Sequence, residues 1–208
     1  YNKIDTHKNI NTYENNYNLP LGFMVDKNLL NLELIKLEPF TNQNNILKNM
    51  NSNIEDVFYE EKFKLTLNNL ELDKTKQNLT YKKNNNNNQA SLQFEINKKH
   101  SGILYAYLSS TSYKKVDIKL NGESIIDIND QNDYYYNILE LGNFNQNDTI
   151  KLEVILLEDT IKLEDYMFYT LNLEKLQEAT NILNNNEKLI LNEYKTEYIK
   201  GTINVTKD

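Results

Sequence analysis

Apolar side chains recur at every second position in several short segments, and this spacing constrains the fold more than any other feature of the chain. The pattern is clearest at Ile150, Leu152 and Val154, which are separated by charged residues, and it recurs in residues 92–96 and 116–120. Successive side chains of a strand point to opposite faces of the sheet. The alternation therefore predicts strands with one face in a core and one in water, as is typical of antiparallel sheets.

The dipeptide Asn121-Gly122 is the strongest turn signal in the chain. It separates two strand-like runs, and a two-residue type I′ turn needs positive φ at both central residues, which Asn and Gly adopt readily. Turn signals between the other strands favour two facing sheets. We predict a mainly β fold, an antiparallel jelly-roll-like β-sandwich with one or two short helices.

Two segments have helical spacing instead. Residues 41–50 place apolar side chains on one face, with Thr41 as the expected N-cap. Residues 172–183 repeat the spacing, and Asn172 is able to cap that helix.

The period-two pattern begins near residue 62, which divides the chain into two predicted regions. Residues 1–60 are expected to form an extended and helical segment packed on the core, and residues 61–208 the β-sandwich domain. Within the first region, the apolar residues 19–25 are interrupted by Pro and Gly, so we expect an extended segment buried in the core.

Charge and composition exclude several functions. The net charge is -7, the pI is near 5.0, and no arginine is present. Nucleic acid is therefore not an expected partner, because phosphate-binding surfaces need clustered Lys or Arg. The absence of cysteine excludes disulfides, thiolate metal sites and thiol nucleophiles.

The chain begins at Tyr1 and contains no signal peptide and no apolar run approaching the ~18 residues of a membrane span. We expect it to be a piece of a longer protein whose targeting and membrane segments lie outside it.

No metal or cofactor is expected from the sequence. His7 and His100 are far apart in polar surroundings and are predicted to be solvated surface residues. The acidic run 127–133 is a weak Ca²⁺ candidate, but it departs from the EF-hand template at several positions. Its possible ligands are Asp127, Asn129, Asp130 and Asp133.

Neighbouring acids such as Glu60 and Glu61 are predicted to be solvated charges. Adjacent strand residues point to opposite faces, so such a pair does not converge on a substrate. We predict no catalytic residue in this chain.

Tyrosine is abundant, with 15 residues against no Trp. Tyr134, Tyr135 and Tyr136 are consecutive, so at least one must point outward if the sheet has a wet face. With Tyr105 and Tyr107 they form the predicted ligand-binding set, in which aromatic faces bind a sugar. The alternative is core or cross-strand packing.

Two phrases near the N-terminus are similar to motifs of a known family. Residues 13–25 read YENNYNLPLGFMV and residues 39–48 read PFTNQNNILK. They resemble the YeN.yaLPlGfmv and NPFe.QN.llk patterns of the YfhO family of bacterial multi-spanning membrane proteins, although Glu38 stands where the family usually has Asn. Weaker similarity continues in GILYAYL at 102–108, VDIKLNG at 116–122, LGNFNQNDTI at 141–150 and YIKGTI at 198–203.

The resemblance implies a polytopic protein whose membrane part looks like a GT-C glycosyltransferase, a class that uses polyprenyl-phosphate sugars on the outer face of the membrane. It implies glycosylation of lipoteichoic acid or a related polymer of the Gram-positive cell envelope, with this chain on the extracytoplasmic face of the cell membrane. The family's catalytic acid lies in a loop that this chain lacks, so no enzyme activity is expected of the chain itself.

The implied partners are the remainder of its own membrane-embedded chain and a cell-surface glycopolymer or lipid-linked sugar. Two alternatives stay open. One is a free carbohydrate-binding or adhesin-type β-sandwich module, and the other is a purely structural brace for membrane helices.

Overall fold

The computed structural model describes residues 2–8, 10–73, 79–109, 116–128, 138–195 and 197–205. In chain order the elements are β1 (Asn2–His7), β2 (Ile10–Glu14), a 3-10 helix (Lys27–Asn31), α1 (Pro39–Met50), β3 (Phe58–Glu60), β4 (Phe63–Asn68), β5 (Leu70–Leu72), β6 (Leu79–Lys83), β7 (Ala90–Asn97), β8 (Gly102–Ser109), β9 (Val116–Leu120), β10 (Glu123–Ile128), β11 (Ile138–Phe144), β12 (Thr149–Leu156), β13 (Thr160–Leu163), β14 (Asp165–Leu171), α2 (Leu173–Asn184), β15 (Ile190–Tyr194) and β16 (Ile199–Thr202).

The chain divides into two compact units. The terminal unit combines Tyr1–Val57 with Leu173–Asp208, and the sandwich unit is Phe58–Asn172. The sequence-based division at residue 60 stays a prediction, because a compact unit and an independently folding domain are different properties.

The sandwich unit contains two main antiparallel sheets. The five-stranded sheet has the order β10-β9-β12-β7-β4, and the four-stranded sheet has the order β11-β8-β14-β3. A three-stranded sheet, β13-β6-β5, completes the unit. β12 pairs with β7 from Thr149↔Asn97 to Leu156↔Ala90 without a register shift. The apolar positions of these two strands therefore stay side by side on one face.

The two main sheets share one core. Phe94 of β7 lies with its ring centroid 5.3 Å from that of Phe168 of β14, and Phe63 of β4 lies 5.1 Å from Phe168. The alternating apolar positions of β7 and β12 are buried, as their spacing predicts. The predicted mainly β, antiparallel, jelly-roll-like sandwich with short helices is confirmed.

The hairpin between β9 and β10 is also confirmed. Asn121 has φ 50° and Gly122 has φ 93°, the positive values that a type I′ turn needs. The Asn121 side-chain oxygen accepts a hydrogen bond from the Lys151 backbone N–H at 2.9 Å. This contact fixes the turn to the neighbouring strand β12.

The terminal unit contains both helices and two isolated hairpins, β1-β2 and β15-β16. The predicted helices exist, but the N-cap Thr41 is wrong, because α1 begins earlier, at Pro39. Proline is pre-organised for the first helical position. The Thr41 hydroxyl instead donates to Glu38 Oε2 at 2.8 Å. Neither of these 12-residue helices of the described chain has the length and apolar character to cross a bilayer.

The prediction that residues 19–25 are buried in the core is wrong. Leu21 is 65% exposed and Leu19 is 38% exposed. The segment is held mainly by backbone contacts: Phe23 forms an isolated antiparallel bridge with Lys188, and Gly22 O accepts a hydrogen bond at 2.8 Å. An apolar run that is broken by Pro and Gly is held here by main-chain pairing, and Leu19, Leu21 and Met24 remain exposed.

Candidate functional site

Tyr105 and Tyr107 lie together on the outer face of the four-stranded sheet. The intervening positions of β8, Leu104, Ala106 and Leu108, belong to the sandwich core. Because strand side chains alternate, the tyrosines point away from that core. The structure thus brings these two predicted residues onto one face of the sheet.

The hydroxyl of Tyr105 is paired with a carboxylate. It donates to Glu140 Oε2 of the neighbouring strand β11 at 3.0 Å, and its ring meets Phe58 edge-on with centroids 6.1 Å apart. Burial raises the pKa of Tyr105, and the hydrogen bond and the charge of Glu140 raise it further, to about 12. The phenol therefore keeps its proton over the physiological pH range and holds the Glu140 carboxylate in place.

Tyr107 offers less to a ligand than Tyr105. It is only 7% exposed and pairs across the sheet with Met167 of β14 and Ile138 of β11. Tyr105 is half-buried and so retains part of its surface. Of the two, Tyr105 with its Glu140 partner is the better candidate for contact with a sugar.

The remaining predicted site residues fall largely outside the described part of the chain. This applies to Tyr134, Tyr135 and Tyr136 and to the Ca²⁺ candidates Asn129, Asp130 and Asp133. Asp127 is the penultimate residue of β10, and its backbone pairs with that of Asp117. Its side chain lies outside the described part of the chain. Elsewhere in the described ranges, no group of three or more His, Asp or Glu side chains is placed to hold a metal ion.

A buried polar cluster, which the sequence did not reveal, lies in the sandwich unit. We name it the Glu61 cluster, and it consists of Glu61, Lys98, His100 and Thr170. Glu61 follows β3, Lys98 and His100 lie between β7 and β8, and Thr170 belongs to β14. The side chains of Glu61 and Lys98 have no exposed surface. The prediction of solvated charges at Glu60 and Glu61 is therefore wrong for Glu61.

The Glu61 carboxylate is surrounded by donors. It accepts from the backbone N–H groups of Lys99 at 2.8 Å and His100 at 3.2 Å, and from the Thr170 hydroxyl at 2.7 Å. Lys98 Nζ lies 3.6 Å from Glu61 Oε1 and also donates to Thr170 Oγ1. Burial raises the pKa of Glu61, but these hydrogen bonds and the Lys98 charge outweigh burial and hold it below its usual range.

His100 forms the outer wall of the cluster. Its ring stacks on Tyr59 with centroids 4.7 Å apart, and its Nδ1 lies 3.4 Å from Glu61 Oε1. The Nδ1 atom is buried and has no hydrogen-bond partner in the described structure, although 38% of the side chain is exposed. The prediction of a solvated surface histidine holds only in part for His100, because stacking on Tyr59 and the nearby carboxylate hold the ring against the protein.

The geometry of the Glu61 cluster suits a structural role. A carboxylate and an ammonium group without exposed surface have no access to a substrate. Their hydrogen bonds join the edge strand β3, the β7–β8 connection and β14 at one point. The cluster therefore fixes one end of the sandwich.

Comparisons with known proteins give one family and a set of distant structural likenesses. A family model described as "Bacterial membrane protein YfhO" matches residues 1–208. No curated protein matches the chain. A family 35 carbohydrate-binding module from Clostridium thermocellum is similar at 16% identity, with 56% of this chain and 98% of that chain covered and a TM-score of 0.35.

Two other similar structures have the same TM-score. A CBM35 from Paenibacillus barcinonensis is 14% identical, with 55% of this chain and 98% of that chain covered at a TM-score of 0.35. A GH26-CBM35 β-(1,4)-mannanase from Podospora anserina is 13% identical, with 56% of this chain and 27% of that chain covered at a TM-score of 0.35.

Proposed function

The chain belongs to the YfhO family of bacterial membrane proteins, and on this basis we propose that it is an extracytoplasmic accessory domain of a GT-C-type glycosyltransferase. The substrate of the parent enzyme is lipoteichoic acid or another polymer of the Gram-positive cell surface. The observation that carries the proposal is the family match, which extends over residues 1–208.

The role of the domain is to position an acceptor polymer or a lipid-linked sugar beside a membrane-embedded active site. Catalysis belongs to the membrane part of the parent protein. Within the described chain, the most deeply buried acid, Glu61, is enclosed by protein donors and fixes the sandwich. The principal partner is the remainder of the protein's own membrane-embedded chain.

The sugar contact is assigned to Tyr105 and its Glu140 partner. An aromatic face packs well against the C–H groups of a sugar ring, and a carboxylate accepts hydrogen bonds from sugar hydroxyls. The hydrogen bond at 3.0 Å between Tyr105 and Glu140 places both groups on one surface. This pairing supports the assignment.

A second function, a brace for membrane helices, is favoured by a different observation. Large apolar side chains of the terminal unit are exposed: Ile4 by 61%, Ile10 by 70% and Leu30 by 87%. Both of its hairpins are isolated two-stranded sheets, which are at best marginally stable without a further partner. A brace would use these surfaces and would need no sugar.

Analysis of surface polymers in cells separates the two functions. Deleting the parent gene is expected to remove a sugar from the polymer under either function. Restoring it with Tyr105→Ala is expected to give reduced glycosylation per molecule of parent protein, quantified by immunoblot, because the ring is lost. Tyr105→Phe keeps the ring and serves as the matched control. Full glycosylation with Tyr105→Ala would refute the sugar contact and favour the brace.

A further inference from the structure

The terminal unit contains a cavity of about 660 Å³, and we propose that it binds a neutral, hydroxyl-rich ligand of the size of one or two sugar residues. The cavity is lined by residues 24–27, 50–53 and 185–187 together with Val205. Its volume lies in the range of small-molecule sites, which is roughly 300–1,000 Å³. The proposal deepens the proposed function and rests on it for the class of sugar.

The walls of the cavity are held together by hydrogen bonds. Met24 N–H donates to Glu187 O at 2.8 Å, and Asp26 N–H donates to Met50 O at 2.8 Å. The Asn186 side-chain amide donates to Met24 O at 2.8 Å. These bonds join three separate parts of the chain, so the cavity is formed before any ligand arrives.

The cavity wall includes the end of the first N-terminal phrase and the end of α1. The first phrase, residues 13–25, ends in the wall at Met24 and Val25. The second phrase lies in α1, and that helix ends in the wall at Met50. The wall therefore joins an extended segment to the last turn of a helix.

The polar side chains of the lining suit sugar hydroxyls. Ser52, Asn53 and Asn185 line the cavity, and their side chains form no hydrogen bond with the described part of the chain. An amide or hydroxyl group both donates and accepts hydrogen bonds, and so does a sugar hydroxyl. These side chains are positioned to exchange water for a polyhydroxylated ligand.

The charges of the lining disfavour an anion. Two carboxylates, Asp26 and Glu187, stand against one ammonium group, Lys27. A phosphate group would meet more negative than positive charge, and the bidentate donor Arg is missing from the chain. The ligand is therefore the neutral sugar part of a polymer or carrier.

The apolar part of the lining suits the C–H face of a sugar ring. Met24, Val25 and Met50 provide it, together with Val205. Methionine side chains are flexible and polarisable, and they adapt to ligands of different shape. The lining thus combines apolar side chains with hydrogen-bonding groups, as sugar sites require.

Methionine methyl NMR tests the proposal on the 208-residue chain. The chain has three methionines: Met24 and Met50 line the cavity, and Met167 pairs with Tyr107 on the sandwich. The probes are methyl glycosides of glucose, galactose and N-acetylglucosamine at millimolar concentration, and single Met→Leu variants assign the signals. We expect saturable shifts of Met24 and Met50, with Met167 unchanged.

A double variant supplies the matching affinity test. Asn53→Ala with Asn185→Ala is expected to weaken binding about tenfold or more, because each lost hydrogen bond weakens binding severalfold. Asn86→Ala, in an exposed turn of the sandwich unit, should leave affinity unchanged. If the double variant binds the probes as tightly as the unsubstituted chain does, the proposal is overturned.

The location of the shifts separates this inference from the proposed function. A shift of the Met167 signal alone would place the sugar at the tyrosines. This result would refute the cavity as the binding site but would still support sugar binding by the chain. If no methionine signal moves and calorimetry detects no binding of any probe, both the cavity and the sugar contact at Tyr105 are refuted. Shifts of Met24 and Met50 that survive the double variant would also contradict the assigned contacts.

Discussion

Replacing Glu61 by glutamine tests the structural role of the Glu61 cluster. The substitution removes one charge and turns an acceptor oxygen into an NH₂ group that faces backbone donors. It also leaves Lys98, whose side chain is fully buried 3.6 Å from Glu61 Oε1, without its nearest counter-charge. Breaking a buried ion pair on one side costs about 3–5 kcal/mol, and we expect a loss of unfolding free energy in that range.

Urea denaturation followed by far-UV circular dichroism measures this loss. Glu60→Gln is the matched control, because Glu60 is the adjacent residue and is exposed. It should change stability by no more than about 0.5 kcal/mol. Glu61→Gln combined with Lys98→Met removes both charges and should recover part of the loss. If Glu61→Gln changes the unfolding free energy no more than the Glu60→Gln control does, the cluster does not stabilise the sandwich and the reasoning is wrong.

Three further predictions concern the same unit. The folded-state pKa of Glu61 lies below its usual value. The Glu61 carboxylate therefore stabilises the fold fully above the unfolded-state pKa, and this stabilisation is lost as pH falls through the folded-state pKa. Urea midpoints at several acidic pH values should fall more for wild type than for Glu61→Gln. Tyr105→Phe, which loses the 3.0 Å hydrogen bond to Glu140, should destabilise the chain by about 1 kcal/mol. An alkaline absorbance titration should lose a tyrosine that ionises near pH 12; loss of a tyrosine that ionises near the ordinary value of about 10 would count against the pairing. Gly102→Ala should lower the melting temperature far more than Gly122→Ala, because a Cβ at Gly102 would lie 2.2 Å from a backbone oxygen while a Cβ at Gly122 would meet open space. Equal losses of melting temperature would show that the strain of positive φ alone determines the effect of both substitutions.

The sandwich could be predicted because its signals are local. Alternation in β7 and β12 depends only on neighbouring residues, and the Asn121-Gly122 turn needs only two of them. Burial on one face then follows from the hydrophobic effect. These features do not require knowledge of which strands pair.

The features that the sequence did not reveal depend on residues far apart in the chain. Glu61 has the appearance of a surface acid until Thr170 and the β7–β8 connection are placed around it. The exposed segment 19–25 is apolar in sequence, and its position is set by pairing with residues near Lys188. Likewise, the cavity of the terminal unit joins residues from both ends of the chain. No local pattern records such contacts.

Cysteine labelling of the full-length parent in intact cells tests the proposed extracytoplasmic position most directly. The chain contains no cysteine, so Asn86→Cys in an exposed turn introduces a single reporter in a parent freed of its other cysteines. Leu92→Cys, at a fully buried position, is the control and should remain unlabelled. We predict that a membrane-impermeant maleimide labels Asn86→Cys in intact cells; labelling only after lysis would place the domain inside the cell and contradict the account.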